Sequence, residues 1–134
     1  MLDQLILDHR VTIGELPNAV ALGSVVVDIR SQPQRTREGA LLGALAIGAE
    51  VVEERLDPAG PGCLALAREH TGAWILVCSS GAAADAIATG LRGRGLPGVM
   101  SLVGGFRALR ATYGTTIAVP TAHFERSVAT VLWG

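Results

Sequence analysis

The chain has 134 residues, which suits one compact domain and leaves no room for a second catalytic domain. Its 49% hydrophobic and 17% charged residues exclude a disordered chain and predict a well-packed core. The net charge of −1 and the aromatic content of 4% argue against nucleic acid as a partner, and because all 11 basic residues are arginine, mechanisms that need a lysine amine are excluded.

The first predicted elements are two strands separated by a helix. Residues 11–13 predict a short strand, and residues 14–22 predict a helix with a proline in its first turn. Residues 24–29 form an apolar, mostly β-branched run, which is typical of a strand buried on both faces of a parallel sheet. Asp28 and Arg30 then fall at the carboxyl end of this strand, where open parallel sheets have their ligand crevice.

The rest of the chain continues the alternation of strands and helices. Residues 31–43 are a polar, basic connection, and residues 53–55 are a charged cluster before a turn. Further strands are predicted at 44–47, 74–77 and 99–102, further helices at 63–70, 82–91 and 104–110, and an edge strand and a terminal helix at 115–119 and 122–133.

This alternation predicts the fold class and the domain organisation. We expect an α/β fold with a central, mostly parallel sheet of about five strands, flanked by helices on both faces. Residues 1–111 are expected to form this domain, and residues 112–134 a C-terminal extension packed on it.

The cysteines and the hydropathy pattern predict a cytoplasmic location. Cys63 and Cys78 are too few for a disulfide scaffold and do not form a CxxC pair, so we expect a reducing compartment. Asp3 and Asp8 stand where a secretory signal needs a positive charge and an unbroken apolar stretch. Every apolar stretch is interrupted before it reaches 18 residues, so neither a membrane span nor a membrane partner is expected.

Cys78 stands between a predicted buried strand and a predicted helix. Backbone N–H groups and the positive end of the helix dipole converge at such a position and favour the thiolate. The small residues that follow allow the loop to fold around the sulfur as an anion-binding nest. A cysteine at a strand end can equally be a small buried hydrophobe, so this junction leaves both interpretations open.

Four segments, in order, resemble the rhodanese family. Residues 25–30 resemble that family's strand ending in Asp-x-Arg, and residues 39–44 resemble its Gly-His-Ile-Pro-Gly-Ala segment, although the His and Pro are absent here. Residues 74–81 resemble its strand and active-site loop, and residues 101–108 resemble its Leu-x-Gly-Gly-x-x-Ala signature. Together these segments cover roughly residues 11–111.

The resemblance implies a single-domain sulfurtransferase. Cys78 would attack the sulfane sulfur of a small donor, such as thiosulfate or 3-mercaptopyruvate, and become a persulfide. A thiol or cyanide would then accept the sulfur, with a protein as a further candidate acceptor, and this chemistry needs no metal or organic cofactor. The implied persulfide-binding loop is Ser79, Ser80, Gly81, Ala82, Ala83 and Ala84, and the candidate supporting residues are Asp28, Arg30, Arg35 and Arg55.

The loop departs from the family because it carries no charge. Many members of the family have Arg or Lys within the loop, and thiosulfate, a dianion, would lose charge-assisted hydrogen bonds without them. Mercaptopyruvate-type members resemble this loop in being uncharged and rich in Gly and Ser, which favours a thiol-bearing or persulfide donor over thiosulfate. Arg30, Arg35 and Arg55 would compensate in part if they faced the loop, although the more expected role of Arg30 is a structural pair with a carboxylate.

Related loops in cell-cycle phosphatases and arsenate reductases have an arginine six residues after the cysteine. That arginine gives a tetrahedral oxyanion bidentate support. Ala84 occupies the corresponding position here, which disfavours phosphatase chemistry.

Two alternatives to a sulfurtransferase stay open. The uncharged loop and the missing His and Pro would also suit a catalytically slow rhodanese-like binding or regulatory module. A redox-sensing thiol at Cys78 is the third hypothesis. Cys63 is expected to be a buried, inert thiol within a helix, and His9, His70 and His123 lack the spacing of metal ligands.

Overall fold

The computed structural model describes residues 9–70 and 72–113. Within these ranges, five strands form one parallel sheet in the order β1-β5-β4-β2-β3. The strands are β1 (Arg10–Val11), β2 (Val25–Asp28), β3 (Leu45–Ala46), β4 (Trp74–Val77) and β5 (Val99–Leu102). The helices are α1 (Leu16–Ala21), α2 (Gln32–Glu38), α3 (Val52–Leu56), α4 (Ala65–Glu69), α5 (Ala82–Gly93) and α6 (Gly105–Tyr113). The predicted α/β class is confirmed.

The core is centred on β2 and β4, which are neighbours in the sheet. Their side chains are buried on both faces, and Val26 pairs with Ile75 while Val27 pairs with Leu76 in a parallel register. A strand covered on both faces has no need for polar alternation, which explains the continuous apolar runs of the sequence.

The strand order requires the chain to reverse direction across the sheet. β3 lies on one side of β2, whereas β4 and β5 lie successively on the other. Because parallel crossovers are right-handed, this reversal puts helices on both faces. Contacts between helices agree with this placement. Arg110 of α6 donates to the carbonyl of Glu38 in α2, and Arg94, which follows α5, forms an ion pair with Glu53 of α3. The reversal puts the topological switch point, the place where open parallel sheets bind their ligands, at the carboxyl ends of β2 and β4.

Two helices were not expected from the sequence. α2 lies in the segment expected to be a polar connection, and α3 in the charged cluster. Ser31 caps α2 by accepting a hydrogen bond from the Gln34 N–H at 3.3 Å, while the Gln34 side chain accepts one from the Ser31 N–H at 2.9 Å. No residue of α2 is buried, so the helix has no apolar periodicity that would reveal it.

Cys63 lies in the irregular segment between a turn and α4, where it is partly exposed. The expectation of a buried thiol within a helix is therefore wrong. The reason is the preceding segment, residues 58–62, whose two prolines and two glycines keep the chain in a turn.

The predicted C-terminal strand and helix lie outside the described residues. Of the predicted extension, residues 112 and 113 are described, and they close α6. None of the described helices is both long and apolar enough to cross a membrane.

Candidate functional site: the cysteine loop

Cys78 follows β4 directly, and α5 begins four residues later at Ala82. Its side chain is 6% exposed. The Sγ atom accepts hydrogen bonds from the backbone N–H of Gly81 at 3.0 Å and from that of Ala84 at 3.3 Å. Two N–H groups at the start of a helix thus point at the sulfur, an arrangement that stabilises a negative charge on it.

The conformation of the loop depends on Gly81. Its φ of 99° lies in the left-handed region, which glycine adopts without steric cost. A Cβ atom at this position would also lie 3.1 Å from the Gly104 nitrogen and 3.2 Å from the Leu102 carbonyl oxygen. Gly81 therefore provides both the turn and the close approach to the end of β5.

The start of α6 packs against the other side of the loop. The Phe106 N–H donates to the Cys78 carbonyl at 2.8 Å, and the Arg107 N–H donates to the Ser79 carbonyl at 3.1 Å. Gly105 has a φ of 62°, and a Cβ on it would lie 2.7 Å from both the Ser79 carbonyl oxygen and the Gly81 nitrogen. The absence of a side chain at Gly105 is thus what allows α6 to bond to the loop.

A polar network connects the loop to the end of β2. The Ser79 hydroxyl donates to Glu38 Oε1 at 2.8 Å, with Oε2 at 3.0 Å. The same carboxylate accepts a hydrogen bond from Arg30 Nη1 at 3.3 Å. Arg30 also donates to both carboxylate oxygens of Asp28, at 2.9 and 2.8 Å, and its guanidinium lies 3.8 Å from the centre of the Phe106 ring.

The charges of this network are matched although Arg30 is only 1% exposed. Burial opposes the charged form of Arg30, but hydrogen bonds and charges of Asp28 and Glu38 outweigh it and raise the pKa of Arg30 above its ordinary value. Burial likewise acts to raise the pKa of Glu38, but the hydrogen bonds from Ser79 and Arg30 outweigh it and leave that pKa below its ordinary value. Both groups are therefore ionised at neutral pH.

The structure brings some of the sequence-predicted residues together and separates others. Asp28 and Arg30 reach the loop through Glu38, and Arg30 has the expected carboxylate partners. Arg35 donates to the Arg30 carbonyl and to a side-chain oxygen of Gln32, and Arg55 donates to the Gly62 carbonyl, so neither bonds to the loop.

The predicted loop residues differ in their contacts. Ser79 is buried and bonded to Glu38, whereas Ser80 is exposed and its hydroxyl accepts a long bond, 3.4 Å, from the Ala82 N–H. The methyl group of Ala84 is fully buried while its N–H contacts the sulfur. Ala82 and Ala83 are exposed on the first turn of α5.

Glu38 is a site residue that the sequence analysis missed. It lies at the end of the unexpected helix α2 and 41 residues before Ser79, so no local pattern joins the two. The Ser31 capping box would have indicated the helix, but not the contact of its last residue.

A cavity of about 210 Å³ lies beside the loop, at the carboxyl ends of β1 and β5. Asp85 in its wall accepts a hydrogen bond from Ser101 at 3.1 Å and pairs with Arg10 at 3.5 Å. Cys78 is not among the residues that line this cavity. Within residues 9–70 and 72–113, no cluster of three or more His, Cys, Asp or Glu side chains could hold a metal ion.

Neither the known protein-family models nor the curated proteins contain a match to this sequence. Solved structures do match. A protein of unknown function from Rhodopseudomonas palustris, named a possible tyrosine phosphatase, is 24% identical with a TM-score of 0.69 over 81% of this chain and 83% of its own. A rhodanese-related protein from Thermoplasma volcanium is 15% identical with a TM-score of 0.59 over 78% and 93% of the two chains. A rhodanese homolog from Thermus thermophilus is 27% identical with a TM-score of 0.51 over 74% and 98%.

The chain has a rhodanese-like fold. The resemblance seen in the sequence is confirmed at this level. In this rhodanese-like domain, the four segments that carry the resemblance meet around Phe106. Arg30 stacks on its ring, a Cβ at Gly39 would lie 3.6 Å from the ring, and its N–H binds the Cys78 carbonyl.

Proposed function

We propose that this rhodanese-like domain is a sulfurtransferase that carries a sulfane sulfur as a persulfide on Cys78. The observation that carries the proposal is the pair of N–H groups, from Gly81 and Ala84, that donate to the Cys78 sulfur. The same donors and the start of α5 can stabilise the terminal sulfur of an anionic persulfide. The free thiolate and the persulfide, which are the two states of Cys78 in such a cycle, both carry their negative charge in this loop.

The reaction is a double displacement. The Cys78 thiolate attacks the outer sulfur of the donor, a sulfur–sulfur or carbon–sulfur bond to the donor breaks, and the bonding electrons leave with the rest of the donor. A thiolate or cyanide then attacks the outer sulfur of the persulfide. The sulfur–sulfur bond of the persulfide breaks, and its electron pair returns to the Cys78 sulfur. Each half of the cycle conserves charge and needs no external oxidant.

The loop favours sulfur transfer over phosphoryl transfer. A phosphatase loop of the type with an arginine six residues after the cysteine surrounds its oxyanion with guanidinium donors, whereas this position is Ala84, with its methyl group in the core. The loop offers backbone N–H groups to a sulfur, but no charged side chain of its own.

A catalytically slow binding or regulatory module is the second candidate. The observation that favours it is the small exposure of the Cys78 side chain, 6%, which restricts access to the sulfur. Alkylation separates the two functions, because an activated thiolate reacts rapidly with iodoacetamide at neutral pH whereas an ordinary or inaccessible thiol does not. The partly exposed Cys63 is the internal reference.

The proposal is tested by assaying sulfur transfer to cyanide with thiosulfate and with 3-mercaptopyruvate as separate donors. We expect Cys78→Ser to abolish the activity and Cys63→Ser to retain it. A Cys78→Ser protein that is folded and as active as the parent would contradict the proposal.

A further inference from the structure

A positive charge that does not belong to the loop lies next to it on α6. The backbone N–H of Arg107 donates to the Ser79 carbonyl at 3.1 Å. The backbone of Arg107 therefore lies beside Ser79, the residue that follows Cys78. The side chain of Arg107 is exposed. The first turn of α6 thus carries a cation at the rim of an uncharged cysteine loop.

The other arginines near the loop are engaged elsewhere. Arg30 is buried between Asp28 and Glu38, and Arg35 donates to the Arg30 carbonyl. Arg110 donates to the Glu38 carbonyl at 3.0 Å, and Arg10, in the wall of the cavity beside the loop, pairs with Asp85 at 3.5 Å. The guanidinium of Arg107, in contrast, makes no hydrogen bond or ion pair within the described residues. Of the arginines named here, Arg107 is thus the one whose guanidinium has no bonded partner in the described part of the chain.

The charge of Arg107 acts on Glu38, the carboxylate that bonds to the cysteine loop. Burial raises the pKa of Glu38, Ser79 and Arg30 lower it, and the positive charge of Arg107 lowers it further. Since Glu38 accepts the hydrogen bond of Ser79, the guanidinium lies within electrostatic range of the loop residue next to Cys78.

We propose that Arg107 is a specificity-determining residue that attracts small, negatively charged sulfur donors to Cys78. The inference rests on the proposed sulfurtransferase function and deepens it by naming the donor class. It also answers the difficulty raised by the uncharged loop, because the cation that a dianionic donor requires is supplied from α6 rather than from the loop.

With thiosulfate as the donor, atoms and charge balance when sulfur is loaded onto Cys78. The Cys78 thiolate forms a bond to the outer sulfur, the bond between the two thiosulfate sulfurs breaks, and sulfite leaves with the electron pair. A total charge of three negative units is present before and after the step. Arg107 offsets part of the repulsion between a thiolate and a dianion as they approach.

The first test measures the charge at Cys78 without any sulfur transfer. The alkylation rates of Cys78 with iodoacetate, an anion, and with iodoacetamide, its neutral analogue, are compared as a ratio in a Cys63→Ser background. We expect Arg107→Gln to lower the ratio about twofold to fivefold at low salt and less at high salt. Arg68→Gln, which removes an equal exposed charge from α4, is the matched control and should leave the ratio unchanged. An unchanged ratio in Arg107→Gln overturns the proposal.

The second test measures the loading of sulfur onto Cys78. We expect Arg107→Gln to reduce kcat/KM for thiosulfate while sparing loading from an aminoalkyl persulfide, whose ammonium group balances the charge of its ionised persulfide. If Arg107→Gln lowers the loading rate equally with both donors, the assignment to small anionic donors is overturned. It is also overturned if loading is unchanged and only the transfer of sulfur to an acidic protein acceptor becomes slower. If no donor loads Cys78 in the parent protein, the sulfurtransferase function fails, and the alkylation ratio still decides whether Arg107 attracts anions to this thiol.

Discussion

The Ser79 hydroxyl donates to the carboxylate of Glu38 at 2.8 Å and so joins the cysteine loop to the end of α2. The bond is charge-assisted, and Arg30 Nη1 donates to the same carboxylate oxygen at 3.3 Å. The peptide after Cys78 is thereby fixed from α2, while α6 fixes it through the Arg107 N–H. The orientation of the N–H groups that face the sulfur depends on both attachments.

A double-mutant cycle should detect the coupling between Ser79 and Glu38. Ser79→Ala removes the donor and Glu38→Gln removes the charge of the acceptor. We expect each single change to lower the free energy of unfolding by about 1–3 kcal/mol, with a coupling of at least about 0.5 kcal/mol. Urea denaturation measures these values. Ser80→Ala is the matched control, because the Ser80 hydroxyl is exposed and makes only a long bond, and its effect should stay within about 0.5 kcal/mol. Strictly additive losses would show that the contact contributes nothing specific.

Protonation of Glu38 should weaken the fold in acid. The folded-state pKa of Glu38 lies below its ordinary value of 4.5, since Ser79 and Arg30 outweigh the effect of burial. The unfolded chain therefore binds the proton first, so this contribution is complete above about 4.5 and is lost as the pH falls through the lower folded pKa. We expect the stability difference between the parent and Glu38→Gln to shrink over that range. Unfolding curves at stepped pH values test this, and a difference that grows on acidification would refute it.

Arg30 should be necessary for stability. Arg30→Ala leaves the carboxylate of Asp28, itself buried, without its bidentate partner, and it opens a space above Phe106. Leaving a buried charge uncompensated costs about 3–5 kcal/mol, so a large fall in the thermal midpoint is expected. Arg68→Ala on the exposed side of α4 should change the stability by no more than about 0.5 kcal/mol. Similar midpoints for the two variants would contradict this role of Arg30.

Gly105 and Gly90 provide a matched pair of substitutions. Alanine at Gly105 would put a methyl group 2.7 Å from the Ser79 carbonyl oxygen and the Gly81 nitrogen, which displaces the loop and costs about 2–4 kcal/mol. Gly90 is an exposed position in α5, with nothing within 4 Å of an added Cβ. Gly90→Ala should therefore stabilise the protein by about 1 kcal/mol. Calorimetry and the alkylation rate of Cys78 check both changes, and a fully reactive, stable Gly105→Ala protein would contradict the close packing of α6 on the loop.

The predictable parts of this molecule are those with a local signal. Continuous apolar runs revealed β2 and β4, and the small residues after Cys78 indicated the turn into α5. α2 escaped prediction because it buries none of its residues, and the contact of Glu38 with Ser79 because the two are 41 residues apart. Arg35 and Arg55 were reasonable candidates by charge alone, yet their bonds to the Arg30 and Gly62 carbonyls depend on tertiary geometry that no local pattern encodes.

Intact mass spectrometry shows whether Cys78 carries the transferred sulfur. The purified protein is incubated separately with thiosulfate and with 3-mercaptopyruvate, and peptide mapping locates any added mass, with Cys78→Ser as the control. We expect a gain of one sulfur atom on Cys78 that a thiol or cyanide removes. A folded protein with a reactive Cys78 that gains no sulfur from either donor, or gains it equally in Cys78→Ser, would show that Cys78 is not the sulfur carrier.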